Sequence, residues 1–214
     1  MPDLQTELQH GPVRNRAIAA MGLGFSKDEA ALGPLVGALL DRDEGVVANA
    51  LVAIGFLASK DTPLVEIATI LESDASARLR INAAYALQRA IAAGARDPDV
   101  LPALRGGLAD TEGGVRGSCA LCLAVSGDAA SVDALGDLLF DPVNFVALAA
   151  ATALSRLGSN VPETRARAAR HLADAHGKAG GARQRALQRE LIVLSGINLG
   201  DDADAWRDWA LRQQ

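Results

Sequence analysis

The sequence predicts an all-α protein built as a solenoid of about six stacked helix pairs, closed by a C-terminal capping helix. Three observations carry this expectation. Alanine and leucine are abundant and aromatic residues make up only 3% of the chain, which suits helices packed closely against one another. Few stretches have the alternating, β-branched character of strands. An internal repeat of 31–36 residues runs along most of the 214-residue chain.

The repeat is anchored by an aliphatic residue that opens a helix: Val13, Val46, Leu79, Val115 and Val146. Four residues on stand Ala17, Ala50, Ala83, Cys119 and Ala150, and eight on stand Met21, Ile54, Leu87, Leu123 and Leu154. These offsets share one helical face, and the small residues admit a close neighbour. Five residues before four of the anchors stand Asp41, Asp74, Asp110 and Asp141, predicted to cap free backbone N–H groups. Arginine follows the anchor as Arg14, Arg80 and Arg116, but Val47 and Ala147 interrupt this row. Before each aspartate runs another apolar helix, as in ALGPLVGALL, with Pro34 and Pro102 in first turns. The expected units span about 2–24, 28–58, 62–93, 97–126, 129–157 and 161–196, all in one domain, with a cap at 201–214. In that cap Trp206, Trp209 and Ala210 share a face, as a terminal helix covering the last open core requires.

The segments VRNRAIAAM, VVANALVAI, LRINAAYAL, VRGSCALCL and VALAAATAL resemble HEAT repeats of the bacterial HEAT-like type. The resemblance implies a right-handed superhelix in which the second helix of each pair lines a concave face. It also implies a role in binding other proteins, although HEAT-like repeats occur in phycobilin lyases and in a family of DNA glycosylases too.

The residues that could carry chemistry read as structural. Cys119 and Cys122 occupy slots that hold alanine elsewhere, so they are expected to be small core residues. His10, His171 and His176 form no metal-binding spacing and are expected on the surface; without a His-Glu pair, di-iron chemistry is not indicated. The glycine-rich run at residues 177–183 lacks the order of a phosphate loop and reads as an interhelical loop. Ser118 and Ser155 have no recognisable base and acid around them. No catalytic residue, cofactor or metal is therefore expected. A net charge of −5 argues against indiscriminate nucleic-acid binding, and the absence of a leader or long apolar run suggests a cytoplasmic protein. One segment stands apart: residues 156–192 carry eight Lys/Arg against three acids, a possible anion site if it is not simply a solvated face.

Offsets 2, 6 and 9 from the anchors point away from the predicted core and hold no charge. The expected partner-binding residues are Val52, Phe56, Ile81, Tyr85, Gln88, Leu121, Leu148 and Thr152, facing a helix or extended peptide of another protein. The competing expectation is that superhelical curvature closes this stripe. A scaffold or adaptor is thus the leading reading; a lyase-like enzyme accessory and an anion- or nucleic-acid-binding module are the alternatives.

Overall fold

In the computed structural model residues 2–73 and 76–213 are described, and every regular element among them is helical. The chain runs through α1 (Pro2–His10), α2 (Val13–Phe25), α3 (Leu32–Gly37), α4 (Glu44–Leu57), α5 (Leu64–Ser73), α6 (Ala77–Ala93) and α7 (Leu101–Gly106). It continues through α8 (Gly113–Ser126), α9 (Val132–Leu138), α10 (Asn144–Asn160), α11 (Arg165–Lys178), α12 (Gly181–Ser195) and α13 (Ala203–Leu211). Two compact units result, residues 1–107 and 108–214. The fourth predicted helix pair is divided between them, with α7 in the first and α8 in the second.

Within the first unit α2, α4 and α6 lie side by side, backed by α1, α3 and α5. Within the second, α10 packs between α8 and α12, with α9 and α11 behind and α13 against α11. The cores are rows of small and branched residues. Val46, Ala50, Ala53 and Ile54 are fully buried on α4, as are Val115, Cys119, Cys122 and Leu123 on α8. Loops are set by local chemistry. Asp43 accepts from the Val46 N–H to cap α4, and Gly94, Gly127 and Gly196 end helices at positive φ.

The first unit corrects the predicted register. Val13 is 45% exposed, whereas Leu23 is fully buried. The residue of α2 equivalent to Val46 is Asn15, two positions later than the sequence pattern indicated, so Arg16 and not Arg14 matches Arg80 and Arg116. The side chains agree. Arg16 donates from Nε and Nη2 to the two carboxylate oxygens of Asp41 at 2.7 and 2.9 Å. Arg116 does the same to Asp141 at 2.8 and 2.9 Å. Each guanidinium also donates through Nη1 to a carbonyl of the turn entering its own helix, Gly11 O or Asp110 O. One arginine thus clamps two successive turns.

These aspartates do not cap helices as predicted. Asp41, Asp110 and Asp141 accept instead from the N–H two residues on, those of Asp43, Glu112 and Val143. They shape the turn and leave the N-cap position to that later residue. Asp74 lies outside the described residues. The hydrogen bond from Arg16 holds the Asp41 carboxyl below its ordinary range, and that from Arg116 does the same for Asp141.

The predicted loop at 177–183 is shorter than expected: α11 reaches Lys178 and α12 starts at Gly181. The cap is as predicted. Trp206 is fully buried, Trp209 and Ala210 nearly so, and the Trp206 indole N–H donates to the Gly200 carbonyl at 2.9 Å. His176, expected on the surface, is instead buried against Trp206, with ring centroids 6.4 Å apart. The residues four and three before it on α11, Leu172 and Ala173, are core residues, so the apolar stripe of α11 simply runs through it. Among the described residues neither ring nitrogen has a hydrogen-bond partner. Burial lowers its pKa; Asp201 opposes this and Arg207 reinforces it. Neutral His176 therefore contributes stability that is present above its unfolded pKa of 6.5 and lost as the pH falls below it. The melting temperature is expected to drop between pH 7 and pH 5, and His176→Leu should flatten that drop. An equal drop in both proteins would rule the effect out.

Candidate partner-binding face

In the first unit, counting from the equivalent positions Asn15, Val46 and Leu79, offsets −1, 3, 6 and 10 form the open side of each second helix. On α2 these are Arg14, Ile18, Met21 and Phe25; on α4, Gly45, Asn49, Val52 and Phe56; on α6, Arg78, Asn82, Tyr85 and Arg89. All twelve are half-buried or exposed. Phe25 is 65%, Ile18 58% and Phe56 37% exposed.

The rings form a ladder across three helices. Phe25 stacks on Phe56 with centroids 5.2 Å apart and an interplanar angle of 27°. Phe56 meets Tyr85 edge-on at 6.3 Å and 84°. The Tyr85 ring lies over Gly55, where any Cβ would collide with it. Arg89 reaches back across the same seam, its Nε donating to the Gly55 carbonyl at 3.3 Å. Asparagine amides tie the helices together beneath: Asn49 donates to the Ala17 carbonyl at 2.9 Å and Asn82 to the Ala48 carbonyl at 3.1 Å.

Of the residues expected to bind a partner, Val52, Phe56, Ile81, Tyr85 and Gln88 lie in this unit, half-buried or exposed. Leu121, Leu148 and Thr152 lie in the second unit, the leucines half-buried and the threonine exposed. The Thr152 hydroxyl donates to the Glu190 carboxylate at 2.8 Å. The rest of the expected stripe is largely closed. Ala48, Gly55, Gly117, Ala124 and Ser155 are buried, because offsets 2 and 9 flank the seams between neighbouring second helices. At Gly117 the seam is filled by the Phe145 ring. Sequence reasoning missed Phe25, Ile18 and Arg89. Counting offsets 2 and 9 in place of 3 and 10 hid all three, and in α2 the register slip moved the expected positions further away.

Both thiols are free and fully buried. Burial pushes the Cys119 pKa up to about 12 and raises that of Cys122 as well. Cys119→Ala with Cys122→Ala is expected to cost at most about 1–2 kcal/mol per site and to leave any binding unchanged. Stoichiometric zinc lost in the double variant would contradict this. Among the described residues no three His, Cys, Asp or Glu side chains converge on a possible metal position. A cleft of about 450 Å³ between α1 and α3 is lined by Leu8, Pro34, Leu40 and Asp41, whose carboxylate is already paired with Arg16. No described helix is long and apolar enough to cross a membrane.

The basic segment 156–192 is largely engaged internally. Arg165 donates to the Leu194 carbonyl, Arg167 to Asp133, Arg183 to the Asp141 carbonyl and Lys178 to Asp174. His171, expected to be solvent-exposed, is half-buried with Nε2 at 3.0 Å from Asp133.

Comparison with known proteins agrees with this architecture. A designed armadillo repeat protein superposes with a TM-score of 0.70 at 21% identity, covering 91% of this chain and 99% of the other. Another, in complex with the peptide (KR)4, gives 0.72 at 21% identity with the same coverages. The complex of CpcE and CpcF of phycocyanin lyase from Nostoc sp. PCC7120 gives 0.62 at 21% identity, covering 99% of this chain and 95% of that one. At such identities these likenesses show the fold, a helical repeat solenoid. No curated protein sequence matches significantly. The family model for HEAT repeats matches residues 1–88 and 64–155, most of the chain. The chain belongs to the HEAT-repeat family.

Proposed function

We propose that this protein is a non-catalytic scaffold or adaptor that binds a segment of another protein on the open side of its second helices. The observation that carries this reading is the exposed ladder Phe25–Phe56–Tyr85. Aromatic rings that stack on each other yet remain open to water offer apolar area already fixed in position, so a partner loses less entropy on ordering them. Tyr85 adds a hydroxyl, as residues that dominate interfaces often do. Within the second unit Leu121, Leu148 and Thr152 are proposed as partner contacts of that unit by itself. Solved relatives of the fold include a peptide complex and a two-subunit complex, which supports a protein partner. The anion-binding reading has weaker support, since five of the basic segment's eight cations are tied to protein groups, and for a lyase-like role the cleft between α1 and α3 offers only an aspartate already paired with Arg16.

The test is selection of a displayed peptide library on the wild type and on Phe25→Asp with Phe56→Asp. Both residues are exposed, so the variant should keep its helical circular dichroism and melting temperature. Peptides enriched on the wild type are expected to lose at least about tenfold in affinity, from the removed apolar contact. Equal enrichment on both proteins would remove this face from consideration.

A further inference from the structure

The charge on the first unit is segregated by helix. The second helices α2, α4 and α6 carry five arginines, at positions 14, 16, 78, 80 and 89, and one acid, Glu44. The first helices α1, α3, α5 and α7 carry four acids, Asp3, Glu7, Glu66 and Glu72, and one arginine, Arg105. Glu44 accepts a hydrogen bond from Ser76, and Arg16 is paired with Asp41. Arg14, Arg78 and Arg89 are exposed and pair with no carboxylate among the described residues. All three lie on the open side, Arg14 and Arg78 at its start and Arg89 beside the aromatic ladder. None of the twelve positions on that side holds an acid.

This segregation deepens the proposed function and rests on it. We propose that the open side of α2, α4 and α6 binds an extended acidic peptide segment of a partner protein, with aliphatic or aromatic side chains between its carboxylates. The apolar side chains would lie on Phe25 and Phe56, and a carboxylate would meet the Arg89 guanidinium. Arg89 is already positioned for this. Its Nε is fixed on the Gly55 carbonyl next to Phe56, which leaves the two terminal nitrogens to face a carboxylate. A protein net charge of −5 makes such a local cationic side a discriminating feature, because acidic segments are repelled elsewhere. Nucleic acid fits less well. Three separated arginines would neutralise few phosphates, and Phe25 and Phe56 stack on each other rather than standing apart to take a base between them.

The experiment measures fluorescence anisotropy of labelled peptides with the full chain at moderate salt. One peptide alternates glutamate with leucine and phenylalanine; the second has glutamine, and the third lysine, in place of glutamate. An oligothymidylate of matched length is the fourth probe. The expected order of affinity is glutamate, then glutamine, then lysine, with the glutamate peptide weakening as salt rises. Arg89→Glu should weaken the glutamate peptide on the order of tenfold and strengthen the lysine peptide. Equal binding of the glutamate and glutamine peptides, both lost in Phe25→Asp with Phe56→Asp, would overturn the acidic preference and leave the docking face standing. No peptide binding to the wild type, or binding indifferent to the two phenylalanines, would overturn the docking face as well. Tighter binding of the oligothymidylate than of the glutamate peptide would assign the face to nucleic acid instead.

Discussion

Trp206→Ala is expected to destabilise the second unit by about 3–5 kcal/mol, the usual cost of emptying a fully buried tryptophan site. The magnitude follows from what the side chain touches. Trp206 is fully buried between α13 and α11, edge-on to Trp209 at 5.8 Å and to His176 at 6.4 Å. Its indole N–H also satisfies the Gly200 carbonyl, which alanine would leave without that donor. Deleting residues 197–214 should do more, because it exposes the apolar surface of α11 that α13 covers and promotes aggregation. In a repeat protein each element chiefly stabilises its neighbours, so the damage should be local. Amide exchange should accelerate first in α11 and α12, while α2 and α4 keep their protection. Uniform acceleration along the chain would mean that the molecule unfolds as one cooperative body. An unchanged melting temperature in the truncated protein would mean that α13 is not a cap.

Much of this architecture is legible in the sequence, for a physical reason. A repeat reports the same structural constraint several times, so Val46, Leu79, Val115 and Val146 support one another where a single helix would be ambiguous. The register failed only in the first unit. An end helix has a neighbour on one side, so its anchor slot tolerates the exposed polar Asn15, and Val13 nearby mimics the pattern. His176 failed for the opposite reason. Its polarity suggested solvent, but its position on the apolar stripe of α11 governs, and Trp206, some 30 residues away in sequence, closes over it.

The proposed binding face is half legible. Freedom from acids and a run of apolar side chains can be read from periodicity alone, and they pointed to Val52, Phe56 and Tyr85. Which offsets stay open cannot be read that way. It depends on how closely neighbouring second helices approach, and that is set by small residues such as Gly55 and Gly117, over which the rings of Tyr85 and Phe145 lie. Periodicity therefore put buried Ala48 and Ser155 in the outward-facing set, while exposed Phe56 sits one offset beyond it.

Arg116→Ala is expected to cost about 3 kcal/mol, the low end for breaking a buried ion pair. Asp141 is the reason. Its side chain is only 5% exposed, and without the guanidinium it keeps the Val143 N–H but loses both charge-assisted hydrogen bonds from Arg116. Arg16→Ala should cost less, because Arg16 and Asp41 are 20% and 13% exposed and water replaces more of the lost bonding. The two pairs also predict the acid limb of stability. Both carboxyls have folded pKa values below the ordinary 3.8, so the unfolded chain takes up protons first. Their contribution is complete above about pH 4 and disappears as the pH falls through the lowered folded values. Arg116→Ala should shallow that acid decline, since Asp141 then titrates nearer its unfolded value. Asp141→Asn preserves an oxygen for the Val143 N–H and so separates the turn from the charge. If urea unfolding showed Asp141→Asn as stable as the wild type at pH 7, the turn rather than the ion pair would be what this aspartate contributes.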